Sequence, residues 1–128
     1  ELKKLDKNIW KIYYSKNSSN HVIATLLVFF ENQSMEYYIP ACDDNYKDTQ
    51  ILSLLTYNSI IDSIKKNYKF YSFGFTWLHQ KGVYNYKKKW GCEDKKIKYL
   101  IKFKSKKLYN IKEIIKHYNF FYVAPFKA

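Results

Sequence analysis

The side chains that could do chemistry are concentrated in one stretch of the sequence, residues 69–91. This stretch contains all three glycines and two of the three tryptophans of the 128-residue chain. Lys87 could stabilise a developing negative charge through its ammonium. Tyr84 and Tyr86 could donate protons, and His79 could act as a base. The stretch therefore predicts a site that moves protons beside a fixed positive charge.

Each of these residues also has a simpler interpretation. The lysine run at residues 87–89 is typical of the solvated face of a short helix. The chain has 14 tyrosines, and a given tyrosine more often packs than reacts. His79 is expected in an exposed loop. The sequence leaves both interpretations open for each residue.

The elements that must position these side chains begin with a strand. Residues 69–77 alternate in the manner of a β-strand, and one face carries only aromatic residues: Tyr71, Phe73, Phe75 and Trp77. The other face includes Gly74, which predicts a bulge or a close approach of a ligand or another backbone. Gly82 is predicted to open a short helix over residues 83–90, and Gly91 to close it in the left-handed conformation.

One set of residues in this region carries a resemblance: Phe73-Gly74, then Gly82, Tyr84, Tyr86, Lys87, Trp90 and Gly91. Its order and spacing resemble those of the Fem-type peptidoglycan-bridge aminoacyltransferases and related acyltransferases, which share the GNAT fold. The resemblance extends from about residue 8 to about residue 103. It implies that residues 1–128 form a single GNAT-like domain, the C-terminal part of the fold, cut from a longer chain whose remaining part completes it.

The rest of the chain predicts an α+β architecture. Residues 8–15, 22–31 and 35–41 are predicted as three strands of an antiparallel meander, with Pro40 marking the end of the third or a splayed edge. A helix follows, capped by Asp48 or Thr49. Its apolar stripe is Ile51, Leu54, Leu55, Ile61, Ile64 and Tyr68, and Leu54, Ile61 and Ile64 should be buried. The predicted remainder is the strand over 69–77, the helix over 83–90, a strand over 96–104, a helix over 107–118 and a final strand over 119–126. This order gives a GNAT-like central mixed sheet packed by helices.

The resemblance implies transfer of an acyl or aminoacyl group to an amine of a cell-wall precursor, a sugar or a peptide. Aminoacyl-tRNA or acyl-CoA would be the donor, a small amine-bearing molecule the acceptor, and no metal is implied. Such a reaction needs a neutral amine, a group that stabilises an oxyanion, and a proton for the leaving group. The candidate catalytic residues are Lys87, Tyr86 and Tyr84. The candidate substrate-binding residues are Gly74, Trp77, His79 and Gly82.

Two departures from the acyl-CoA pattern bear on the donor. GNAT enzymes that use acyl-CoA commonly place a tyrosine acid four residues before the glycine that corresponds to Gly91, where this chain has Lys87. Fem-type enzymes carry an aromatic residue followed by lysine, which Tyr86 and Lys87 match. GNAT proteins also wrap the CoA pyrophosphate in a glycine-rich turn. The corresponding residues 43–50 contain no glycine but three aspartates, so either the donor is not CoA or the domain has lost its donor.

The composition adds a second hypothesis. The chain has 23 basic residues, all of them lysine, against 11 acidic residues, which gives a net charge of +12. A degenerate, non-catalytic GNAT-like domain could hold RNA or another polyanion through this surface. Nucleic-acid recognition usually recruits arginine, however, and a chain rich in lysine and without arginine is what an AT-rich genome encodes.

The remaining composition predicts a protein of a reducing compartment. Cys42 and Cys92 lie far apart with no CxxC and no clustered histidines, which predicts free thiols and neither a zinc site nor a disulfide. The longest apolar run, residues 22–30, is too short to span a membrane. We therefore expect a cytoplasmic location, with no signal peptide.

Overall fold

The structure is a computed structural model, and it describes residues 5–76 and 80–95 of the chain. Backbone contacts divide the chain into two units, Glu1–Cys92 and Glu93–Ala128, and nearly all of the second unit lies outside the described residues. Three predicted elements also lie outside them: the strand over 96–104, the helix over 107–118 and the final strand over 119–126.

The first unit is built on a four-stranded mixed sheet with the strand order β1-β2-β3-β4. The strands are β1 (Trp10–Lys16), β2 (Val22–Glu31), β3 (Ser34–Cys42) and β4 (Phe70–Ser72). The first three are antiparallel, and β4 runs parallel to β3. Asn20 and Asn32 take the left-handed conformation in the two turns (φ 65° and 51°), which asparagine tolerates better than most residues. The predicted meander and the α+β class are confirmed.

Of the two positions predicted for Pro40, the structure shows an edge of β3 and not its end. The strand continues to Cys42, and Pro40 lies opposite Leu26 of β2. The pairing between β3 and β4 stops earlier, at Glu36 and Ser72. Beyond that point β3 has no neighbour on the β4 side among the described residues, so Pro40 occupies an edge position, where a residue without an N–H is tolerated.

β4 is three residues long, although the sequence pattern predicts nine. Gly74 has φ +61°, a left-handed conformation that is incompatible with an extended strand. The alternation of aromatic side chains continues past Ser72, but the backbone at Gly74 turns away from β3. The glycine that the sequence pattern places as an interruption of the strand therefore lies just beyond its end.

Two helical elements link β3 to β4. Residues Asp44–Thr49 form a 3-10 helix where the sequence predicts a loop, and α1 covers Ile51–Lys65. The prediction that Leu54 and Ile64 are buried is wrong, because their exposed fractions are 51% and 62%. Ile61 is half-buried.

The face of α1 that packs on the sheet carries small polar side chains instead. Its buried residues are Leu55, Thr56, Ser59 and Ser63. Small side chains let a helix approach its neighbours closely, and their hydroxyls are tolerated in the interior when they are hydrogen-bonded. Ser59 donates to the carbonyl of Thr56 at 2.7 Å. It also contacts the Tyr71 hydroxyl at 2.6 Å. A search for apolar periodicity cannot find such a face.

The core lies between α1 and one face of the sheet. It consists of Ala24, Leu26, Val28, Met35, Tyr37 and Leu55. At the β1 edge, Asp62 of α1 accepts hydrogen bonds from Lys11 Nζ at 2.5 Å and from the Tyr13 hydroxyl at 2.7 Å. The last described helix, α2, covers Lys81–Lys88. In the described part of the chain, no helix has both the length and the apolar character that a membrane span requires.

Candidate active site

A cleft opens where β3 and β4 separate. The two strands pair only from Ser34 and Phe70 to Glu36 and Ser72. Farther along, β3 runs on while Gly74 directs the chain away from it. The resulting cleft has a volume of about 470 Å³, which lies in the usual range for small-molecule sites.

Four segments line this cleft. β3 contributes Glu36, Tyr37, Tyr38 and Pro40, the segment after β4 contributes Phe73, Gly74 and Phe75, α1 contributes Leu52, and α2 contributes Gly82, Val83, Tyr86 and Lys87. Most of the wall is aromatic or aliphatic. Its two groups of opposite charge, among the residues that the structure describes, are Glu36 and Lys87.

Lys87 is half-buried in the wall of the cleft. Its Nζ donates a hydrogen bond to the backbone carbonyl of Phe75 at 3.0 Å, which holds the ammonium beside the segment that follows β4. Burial lowers the pKa of Lys87 below its ordinary value, while Cys92 and Glu36 oppose this shift. The cation is thus held in a partly dry setting, where its electrostatic effect on a neighbouring group is larger than in water.

Glu36 is a site residue that the sequence pattern does not single out. It occupies the last paired position of β3 before the strands separate, and it is the only charged residue in that strand. Its carboxylate lies beside Gly74, since a Cβ at that position would be 3.5 Å from Glu36 Oε1. A lone carboxylate in an otherwise uncharged strand is the available signal, but its meaning depends on where the strand pairing ends.

Gly74 lies beside another backbone, which is one of the settings that the pattern predicts, while its part in substrate binding stays a prediction. A Cβ there would also lie 3.7 Å from the carbonyl oxygen of Tyr37, so the backbone of β3 passes close by. The amide of Gly74 donates to Ser72 Oγ at 3.2 Å. The glycine allows the left-handed turn that opens the cleft.

Tyr86 lines the cleft but turns its hydroxyl towards α1. The hydroxyl lies 3.1 Å from Thr56 Oγ1. Thr56 donates its own proton to the carbonyl of Leu52 at 2.8 Å, so Tyr86 must be the donor in their contact. The Tyr86 ring also packs against Trp90, with ring centroids 6.3 Å apart. Tyr86 is therefore both a wall residue and a tie between α2 and α1.

The other predicted site residues differ in whether they line the cleft. Gly82 lines the cleft, but it is the second residue of α2 and does not precede that helix. Tyr84 is 41% exposed and is not among the residues that line the cleft. Trp77 and His79 lie outside the described residues. Gly91 has φ +77° beyond the end of α2, as the sequence predicts.

The segment before α1 also departs from a glycine-rich turn in the structure. Asp43 caps the 3-10 helix by accepting from the amide of Asn45 at 2.9 Å. Asp44 pairs with Lys47 at 2.6 Å. Within residues 5–76 and 80–95, no group of three or more His, Cys, Asp or Glu side chains could hold a metal ion.

Several solved structures have a fold similar to that of this chain. An aminoglycoside acetyltransferase from an uncultured soil metagenomic sample, in complex with sisomicin, superposes with a TM-score of 0.63. The identity is 14%, over 80% of this chain and 71% of that one. The chain has a GNAT-like α+β fold. Glucosamine-6-phosphate N-acetyltransferase from Arabidopsis thaliana is also similar, with a TM-score of 0.55 and 15% identity over 77% of this chain and 69% of that one.

A second soil metagenomic aminoglycoside acetyltransferase gives a TM-score of 0.60 at 12% identity, over 79% of this chain and 70% of that one. No protein-family model matches the chain, and no curated protein sequence matches it. At these identities the GNAT-like likeness establishes the fold, and the reaction has to be argued from the cleft.

Proposed function

We propose that this GNAT-like domain is an N-acyltransferase, which transfers an acyl group from a donor to the amine of a small acceptor. The observation that carries the proposal is the cleft between β3 and β4, whose wall combines a carboxylate, Glu36, with a partly buried ammonium, Lys87. Solved proteins of the same fold include an aminoglycoside acetyltransferase and a glucosamine-6-phosphate N-acetyltransferase.

The two charged groups divide the tasks of acyl transfer between them. Glu36 attracts the ammonium form of the acceptor, which releases one proton to solvent, and takes the second proton that the attacking nitrogen must lose. The nitrogen then forms a bond to the carbonyl carbon, and Lys87 stabilises the negative charge that develops on the carbonyl oxygen. The bond to the leaving group breaks, and the leaving group takes a proton. Glu36 can pass on the proton that it took from the nitrogen, because the hydroxyl of Tyr86 donates to Thr56 and Tyr84 does not line the cleft.

The Tyr86-Lys87 motif supports a class of donor group and acceptor. The sequence Tyr86-Lys87 matches the aromatic-lysine pair of the Fem-type enzymes, which favours an aminoacyl or acyl group and an amine on a cell-wall precursor, a sugar or a peptide. The open volume of the cleft supports an enzyme over a non-catalytic binding domain, in which the same space should be filled by side chains.

The proposal is tested by comparing Lys87→Ala with Lys89→Ala. Lys87 lines the cleft, whereas Lys89 is exposed at the end of α2 and serves as a matched control of the same residue type. Purified protein is assayed by mass spectrometry against a panel of acyl donors and amine acceptors. We expect Lys87→Ala to lower turnover by a factor of about 10 to 1000, the range for one electrostatic contact.

Lys89→Ala should retain full turnover, and both variants should keep the far-ultraviolet circular dichroism of the parent. Equal losses at the two positions would reduce residues 87–89 to a solvated helix face and remove the central argument for catalysis.

A further inference from the structure

The segment where a GNAT-like fold would hold the diphosphate of CoA has the wrong local structure in this protein. Such a cradle needs backbone N–H groups that can bind phosphate oxygens. Here the carboxylate of Asp43 accepts from the amide of Asn45 at 2.9 Å, and the carbonyl of Asp43 accepts from the amide of Tyr46 at 2.9 Å. Two amides of the segment are thus already committed to Asp43.

The residue before α1 is a glutamine at a position whose backbone conformation suits glycine. Gln50 precedes the helix in the left-handed conformation, with φ 58°, which is the conformation that glycine usually supplies. Its Oε1 accepts a hydrogen bond from Ser53 Oγ at 3.1 Å. Gln50 thus holds Ser53 but makes no capping hydrogen bond to the first-turn amides of α1.

The charge of the segment acts in the same direction. Residues 43–50 carry the carboxylates of Asp43, Asp44 and Asp48 against the ammonium of Lys47, so the net charge is −2, three negative minus one positive. Lys47 is already paired with Asp44 at 2.6 Å. A diphosphate placed here would meet an excess of negative charge in a chain that is otherwise strongly basic.

We infer that the acyl donor of this protein is not anchored by a diphosphate at the start of α1. The donor is an acyl compound that has no nucleotide diphosphate bound there. The donor's acyl arm would instead be held in the cleft between β3 and β4. The existence of a donor rests on the proposed function, whereas the inability of residues 43–50 to hold a diphosphate does not.

A binding experiment tests the inference without requiring turnover. The probe is 3′-phosphoadenosine 5′-diphosphate, the nucleotide half of CoA, titrated calorimetrically into the full chain at near-physiological salt. The test variant is Ser53→Glu, which adds a negative charge in the first turn of α1, and the control is Ser53→Gln, which adds similar bulk without charge. Acidic residues are favourable in a first helical turn and glutamine is a good helix former, so both variants should fold.

We expect either no binding or binding that Ser53→Glu leaves unchanged, because any affinity then comes from lysines elsewhere. Binding that Ser53→Glu weakens by about tenfold or more, with Ser53→Gln unaffected, would place the nucleotide at α1 and overturn the inference.

A transfer assay separates this inference from the proposed function. The value of kcat/KM for S-acetylpantetheine, which lacks the nucleotide, should lie within about tenfold of the value for acetyl-CoA. A preference for acetyl-CoA of about 100-fold or more that is lost in Ser53→Glu would again overturn the inference. If no donor supports transfer, the proposed function fails, and the calorimetric result still decides how residues 43–50 treat a diphosphate.

Discussion

Lys87 carries a positive charge in a partly buried position, where the charged form is less stable than in water. Burial lowers the pKa of its ammonium, so the group loses its proton at a lower pH than an exposed lysine does. If the positive charge is what stabilises the transition state, activity must disappear on the basic side of the pH profile. The pH dependence therefore reports on Lys87 directly.

The expected result is a fall in kcat/KM as the pH rises through the lowered pKa of Lys87. In Lys87→Arg the guanidinium stays protonated throughout this range, so the basic limb should move to higher pH even if the maximal rate drops. The measurement is a pair of pH profiles of kcat/KM. An unchanged basic limb in Lys87→Arg would mean that another group titrates there.

Gly74 and Gly82 form a natural pair for a second prediction. Gly74 has φ +61°, whereas Gly82 lies in α2, where a Cβ would meet no other described atom within 4 Å. Gly74→Ala should lower the free energy of unfolding by about 1–2 kcal/mol, because a Cβ is strained in the left-handed region. Gly82→Ala should be neutral or stabilising by up to about 1 kcal/mol, because alanine favours a helix.

Urea denaturation of both variants measures these effects. A Gly74→Ala protein as stable as the parent would mean that residue 74 does not need the left-handed conformation.

At the scale of elements, α1 is held to the sheet by an unusual face. Leu55 is 5% exposed and Leu54 is 51% exposed, although the two residues are adjacent and identical in type. Leu55→Ala should cost about 2–5 kcal/mol of unfolding free energy through the lost contacts and the cavity. Leu54→Ala should cost less than about 1 kcal/mol. The urea midpoints of the two variants measure these effects. Similar losses of stability in both would show that the predicted apolar stripe of α1 is the packed face.

The sequence predicts best those elements whose buried side chains are apolar. β2 matches its predicted bounds because the apolar run of residues 22–31 is bordered by polar turns. The packed face of α1 escapes prediction because Thr56, Ser59 and Ser63 are buried polar residues, and periodicity counts them as exposed. The hydroxyls of Thr56 and Ser59 are satisfied locally and across to Tyr86 and Tyr71.

Some residues of the candidate site can be predicted from the sequence and others cannot. Lys87, Gly74 and Gly82 are identifiable from their spacing in the sequence. Glu36 is not, because its relation to Lys87 arises only from the parallel pairing of β3 with β4 and from the point at which that pairing ends.

For the whole molecule, the charge of +12 predicts how it would bind a polyanion. If RNA binds through the lysines, its affinity must depend on salt, because each neutralised phosphate releases counterions, with a slope of about −0.7 per contact for single strands. We expect a labelled single-stranded RNA to bind at low salt and to dissociate steeply as salt rises, as measured by fluorescence anisotropy. Binding that ignores salt, or no binding at low salt, would remove the polyanion hypothesis and leave the lysines as a compositional bias.

The hydroxyl contacts of α1 also fix its position along the sheet. A sliding step of one residue moves a helix by about 1.5 Å and turns it by about 100°. Such a step would separate Ser59 from Tyr71 and Thr56 from Tyr86, whose hydroxyls now lie 2.6 Å and 3.1 Å apart. Leucine side chains in the same places would accept several alignments of similar energy, whereas directional polar contacts in a buried interface accept one. The helix that contributes Leu52 to the cleft is thus held in a single alignment.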